Sequence, residues 1–251
     1  MTIKSPREME LMRQAGKVVA GAKAAVAQAI KPGITTRELD RIAEEEIRKQ
    51  GAVPAFKGLY GFPATVCTSI NEEIVHGIPG DRAVKNGDIL SVDFGAIVGG
   101  FYADSAFTIG VGVISPEAQA LIDATHEALQ KGIEQVKEGA RIGDISAAVQ
   151  AYAEHKGYGV VRQYVGHGIG RALHEEPQVP NYGTPGRGPL LKTGMAIAIE
   201  PMLNVGTWKT RQLDDGWTVV TEDGALSAHF EDTVGITENG VEVFTESERN
   251  N

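Results

Sequence analysis

Asp93, Asp104, His167, Glu200 and Glu231 are spread over more than half of the chain, each inside a short glycine-rich or strand-like motif. Four carboxylates and one imidazole crowded into one pocket could not all keep their charge states without compensation. A pair of divalent cations is the natural compensation, provided the fold brings the five together. Taken singly, each has a blander reading: a turn or strand-end aspartate, a glutamate in a structural salt bridge, a histidine at the surface.

Local sequence says how each is presented. Asp93 is expected to end the buried strand Ile-Leu-Ser-Val-Asp, and Asp104 follows in Gly-Phe-Tyr-Ala-Asp-Ser, with Gly99-Gly100 turning a hairpin between them. Glu200 ends a second apolar run and precedes Pro201, which keeps it extended. Period-two alternation through Leu-Ser-Ala-His-Phe-Glu-Asp-Thr would put Ser227, His229 and Glu231 on one face. Glycines flank His167 in Val-Gly-His-Gly-Ile-Gly, so backbone can approach it closely. His174, seven residues on, lacks ligand-pair spacing and suits a hydrogen-bonding acid or base. His76 reads from its surroundings as a polar residue on a turn after a strand. His126 and His155, on predicted helices, read as structural or merely exposed residues.

The elements behind these motifs recur. Ser5-Pro6-Arg7-Glu8 is a capping box opening a helix to about Ile30; Lys31-Pro32-Gly33 breaks it, and Thr35 with Glu38 caps a second helix ending near Gly51. The plan repeats from Pro116 to about Val136, then to near Gly157, with Lys31, Gly33, Leu39 and Gly51 matching Lys137, Gly139, Ile145 and Gly157 at an offset of 106 residues. Lys85 to Asp93 matches Lys192 to Glu200 at an offset of 107, giving Lys-x-Gly, an apolar run and a terminal acid twice. We therefore expect an α+β fold in one catalytic domain over residues 1–251, with pseudo-symmetric halves of about 1–110 and 111–251. Residues 180–189 read as a surface loop, and the last six as a frayed end.

The 251 residues, 42% hydrophobic and 23% charged, suit an ordinary globular chain. A net charge of -9 without a basic cluster argues against a nucleic-acid substrate. Cys67, the single cysteine, excludes an intrachain disulfide and suits a reducing compartment, so cytoplasmic is the expectation. No window approaches the roughly 18 to 20 apolar residues of a membrane helix, and the N-terminus lacks a signal-peptide core.

Five segments in order, Cys-Thr-Ser-Ile-Asn-Glu-Glu-Ile-Val-His-Gly-Ile-Pro, Val-Asp-Phe-Gly with Asp-Ser, Gly-His-Gly-Ile-Gly-Arg-x-x-His-Glu-Glu-Pro, Ile-Glu-Pro and Ser-Ala-His-Phe-Glu-Asp-Thr, resemble the type I methionine aminopeptidases in their short bacterial form. The resemblance covers nearly the whole chain. It implies a pita-bread fold, a curved antiparallel sheet with outer helices whose two halves close over a dinuclear centre. Asp93 would chelate one metal, His167 and Glu200 the other, and Asp104 and Glu231 would bridge both. Glu200 would also relay a proton, His174 would bond the substrate carbonyl, and His76 would contact the scissile amide.

The resemblance further implies removal of N-terminal methionine before a small second residue, by a water activated between two ions, and a transient encounter with the ribosome. The ions could be cobalt, manganese, iron or zinc. Phe56, Leu59, Phe62, Cys67, Leu173 and Trp217 would form the methionine pocket. Familiar members have tyrosine at the positions of Leu59 and Phe62, phenylalanine at Leu173 and glutamine at His229, which makes His229 a candidate to support the site from behind. Asn71 and Ser227 match positions that hold a monovalent cation in some members. A monomer is expected. One rival is an aminopeptidase or dipeptidase of the same fold acting at proline, although such relatives carry a large extra N-terminal domain. Another is a non-enzymatic relative, although those lose metal ligands.

Overall fold

The computed structural model describes residues 2–246; the expected fraying of 247–251 lies outside them. Helix α1 (Pro6–Ala29) opens on Ser5, whose hydroxyl accepts from the Glu8 amide while Glu8 returns the bond. Helix α2 (Thr36–Lys49) has the same reciprocal box between Thr35 and Glu38. Helix α3 (Pro116–Ile133) starts at Ser115 and stops a turn earlier than expected at Glu134; helix α4 (Ile142–His155) follows. A helix pair thus precedes each of the two site-bearing strand sets.

The main sheet has nine strands, all paired antiparallel. At its centre the hairpin Ile89–Val98 and Phe101–Gly110 is joined by Gly99 and Gly100, both at positive φ. The strand Phe101–Gly110 pairs with Glu231–Thr237, which pairs with Ala196–Ile199, then Gly166–Gly168, then Glu175–Val179. On the helix side, α1 and α2 bury Val18, Val19, Leu39 and Ile47 against Val66, Leu90, Val92 and Phe94. Leu129 and Ile145 of α3 and α4 pack on Ile197, Ile199, Val234 and Ile236. One sheet face is therefore sealed by helices, which leaves the other for polar groups.

Two expectations are corrected. Asp93 lies in the middle of a ten-residue strand rather than at its end, because the apolar pattern resumes in Phe94, Ala96 and Ile97. The segment from Ser227 to Thr237 is two strands, Ser227–His229 and Glu231–Thr237, broken at Phe230. Its first piece leaves the main sheet to pair with Met202–Asn204, so Ala228 is as buried as its neighbours and the alternation fails.

Candidate metal centre

Strand register places all five candidate ligands on one face. Asp93 stands opposite Ala106, and Ala106 stands opposite Glu231; Asp104, two residues before Ala106, points the same way. In the other half Thr233 and His167 both stand opposite Ala198, and Glu200 lies two residues beyond it in the extended conformation imposed by Pro201. Ala106 and Ala198 are small, so the longer side chains around them can converge. Asp104, His167 and Glu231 each offer a ligand atom within 4.8 Å of the others. The His167 Nε2 is 3.4 Å from Asp104 Oδ2 and 3.7 Å from Glu200 Oε1.

Local chemistry holds each group. A Cβ at Gly166 would meet the Ala198 carbonyl at 2.3 Å and one at Gly168 the Glu176 carbonyl at 2.4 Å, so glycine on both sides is what lets the His167 strand close up to its neighbours. The His167 Nδ1 donates to the Gly168 carbonyl at 2.9 Å, which leaves Nε2 free as a ligand. The Thr233 hydroxyl accepts from the Asp104 amide and lies 3.0 Å from Asp104 Oδ1. Asn181 donates to the Glu200 carbonyl at 2.9 Å.

The electrostatics report missing positive charge. Burial, followed by the neighbouring carboxylates, pushes Asp93 and Glu231 well above the usual carboxylate range. Burial raises Glu200 to about 7, with Asp104 adding to it and His167 opposing. For His167, burial pulls the imidazole down, but Asp104 and Glu200 outweigh it and hold the group at about 9. Asp93 Oδ1 is buried with no hydrogen-bond partner. A set of hard oxygen donors with one imidazole, short of cations and carrying an orphaned oxygen, fits divalent metal ions.

Beside these groups lies a cavity of about 140 Å³. Phe56, Leu59, Phe62, Cys67, Leu173 and Trp217 form its apolar wall, with His76 and His174 at the polar end, so the structure brings every expected pocket residue to one place. Phe62 and Trp217 meet edge to face at 5.0 Å. Gly95, opposite Asp104, leaves room for the Phe56 ring, which a Cβ there would strike at 2.5 Å. The His174 ring lies 4.5 Å from that of His167. His76, at φ 62, packs edge-on against Tyr164 at 5.6 Å. Burial and then His174 lower His76 to about 4; burial and then His167 lower His174. Both are therefore poised as neutral imidazoles near pH 7.

His229 is buried off the cavity wall, with Nε2 unpartnered and its pKa lowered to about 3 by burial and then by His76. Asn71 and Ser227 are adjacent, the Ser227 amide donating to the Asn71 carbonyl at 2.9 Å. His126 and His155 are exposed on their helices, as expected. Sequence reasoning missed Tyr60, which lines the cavity mouth, stacks on His174 at 6.1 Å and is 75% exposed. Its signal was an aromatic set between Gly58 and Gly61, both at positive φ like Tyr60 itself.

Comparison with known proteins gives this geometry a lineage. Residues 10–238 match the model of metallopeptidase family M24. The chain is 54% identical to a methionine aminopeptidase of Clostridium perfringens, over 97% of this chain and 98% of that one. The structure of methionine aminopeptidase from Rickettsia prowazekii superposes with a TM-score of 0.96 at 43% identity, covering 98% of this chain and 100% of the other. A prolidase from Pyrococcus furiosus shares the fold at a TM-score of 0.80 and 26% identity, but only 66% of it is covered. With the pita-bread sheet, its buried acid and histidine cluster and near full-length identity in agreement, the chain belongs to the methionine aminopeptidases of metallopeptidase family M24.

Proposed function

We propose that the chain removes the N-terminal methionine from nascent proteins and peptides, favouring a small second residue, with two divalent ions held by Asp93, Asp104, His167, Glu200 and Glu231. The observation that carries this reading is that these five donors and a wall of apolar side chains border the same cavity. When bound, the ions would supply Lewis acidity toward a carbonyl and would make a water acid enough to ionise near neutral pH.

The protein's own groups do the rest. Asp93 would hold one ion, His167 and Glu200 the other, and Asp104 with Glu231 would be shared between them. Glu200 takes a proton and returns it. His174 donates to the substrate carbonyl, and neutral His76 hydrogen-bonds the scissile amide and assists its nitrogen in leaving. The thioether side chain lies against Phe56, Leu59, Phe62, Cys67, Leu173 and Trp217, and His229 supports the metal centre from behind. Asn71 and Ser227 hold a monovalent cation. The 251 residues act as one catalytic domain, as a cytoplasmic monomer that meets its substrates near the ribosome; among the described residues no helix is long and apolar enough to cross a membrane.

Peptide profiling tests the reading on protein whose bound metals have been quantified. With added Mn²⁺ or Co²⁺, Met-Ala-Ser loses methionine, while Leu-Ala-Ser and Ala-Pro peptides react far more slowly. Equal cleavage of all three sinks the methionine assignment.

A further inference from the structure

The strand that carries Asp104 and the strand that carries Glu231 meet through two register pairs, Glu231 with Ala106 and Asp232 with Ser105. Ten pairs, by contrast, join the Asp93 strand to the Asp104 strand. The seam between the halves thus has little ladder of its own, yet it sets the spacing of Asp104 and Glu231. Side chains reinforce it from the face away from the cavity, since Ser105 and Asp232 alternate with Asp104 and Glu231 along their strands.

There Lys23 of α1 reaches beneath the sheet. Its Nζ donates to Ser105 Oγ at 2.6 Å and lies 3.6 Å from Asp232 Oδ1, with both charged side chains about six-sevenths buried, at 15% and 14% exposure. Ser105 in turn donates to the Glu231 carbonyl at 2.5 Å, and Thr245 donates to Asp232 Oδ1 at 2.7 Å. One ammonium group therefore contacts both strands of the seam, Ser105 beside Asp104 and Asp232 beside Glu231.

We propose that Lys23 is a positioning residue for the metal centre, fixing the strand seam so that Asp104 and Glu231 keep the separation needed to span two ions. The inference rests on the reading of these two acids as bridges. Charge and geometry give opposite signs on removing Lys23, which makes the proposal decidable. Loss of a positive charge leaves Asp232 unneutralised beside Glu231 and by itself would favour cation binding. Loss of the brace loosens the bridges and weakens the second ion.

The experiment is a calorimetric Mn²⁺ titration of the metal-free full chain at 25 °C, paired with electron paramagnetic resonance of the spin-coupled Mn²⁺ pair. Lys23→Met is expected to keep the first ion, to bind the second about tenfold more weakly, as losses of supporting groups around metal ligands typically do, and to lose the coupled signal at two equivalents. Lys23→Arg restores both. If Lys23→Met does not fold, Lys23→Gln is titrated in its place, with the same weakening expected. Wild-type or tighter binding of the second Mn²⁺ in the folded variant overturns the proposal. A wild-type chain that never binds a coupled pair overturns instead the two-ion reading on which it rests.

Discussion

The half of the molecule that presents Asp93 and Asp104 and the half that presents His167, Glu200 and Glu231 hold their ligands by different means. The first uses one long hairpin of ten consecutive pairs, with Thr233 bonded to Asp104 from across the seam. The second uses strands of three, four and seven residues, two flanking glycines, a histidine tethered to the next carbonyl and a glutamate just past a strand end, pinned by Asn181. Long ladders suit groups whose task is to hold charge at a fixed spacing. Glu200, the carboxylate proposed to carry a proton, is on the short-element side.

The sharpest way to break this contrast is to neutralise the matched acids of the two halves. Glu200→Gln should lower kcat on the order of 10³-fold even at saturating Mn²⁺, because a proton carrier is lost along with a ligand; retained wild-type turnover would remove Glu200 from that role. Asp93→Asn should weaken Mn²⁺ binding by roughly 10² and recover most activity when the ion is in excess. Equal losses at saturating metal would make the halves functionally alike.

Proton linkage gives the next effect. His167 carries a proton below about 9 and Glu200 below about 7 in the metal-free protein, and both must lose it to act as ligands. Mn²⁺ affinity should therefore fall at least tenfold for each unit of pH lowered from 9 to 7, and more steeply below 7. Calorimetry in buffers of different ionisation enthalpy would read the released protons, and a pH-independent affinity would contradict the assignment. The smallest effect falls on the frame. Thr35→Ala removes a cap on α2 and should cost about 1 kcal/mol of stability, lowering Tm by roughly 2 to 4 °C with kcat unchanged; altered kcat would mean that the helix pair does more than cover the sheet.

The same contrast explains what the sequence made legible. Capping boxes at Ser5 and Thr35, the Gly99-Gly100 turn and the glycines around His167 are local chemistry, so they could be read directly and the structure has them in place. The roster of cavity residues was reached through family resemblance, since spacing alone cannot bring Phe56 and Trp217 together. Illegible were features decided between distant segments. The break at Phe230 arises where Ser227–His229 joins Met202–Asn204 instead of the main sheet, whereas the placement of Asp93 inside its strand follows from the apolar residues Phe94, Ala96 and Ile97 just beyond it and was a local misreading. Tyr60 was missed because an exposed ring is informative only once His174 lies under it. Lys23 gave no signal in sequence, since its partners lie 82 and 209 positions away in Ser105 and Asp232.

Anomalous diffraction from Mn²⁺-loaded crystals addresses the two-ion centre most directly. The account predicts two peaks about 3.5 to 4 Å apart, with Asp93 on one, His167 and Glu200 on the other, and Asp104 with Glu231 reaching both. A single peak at full loading, or two peaks with Asp104 or Glu231 bound to only one of them, would contradict it.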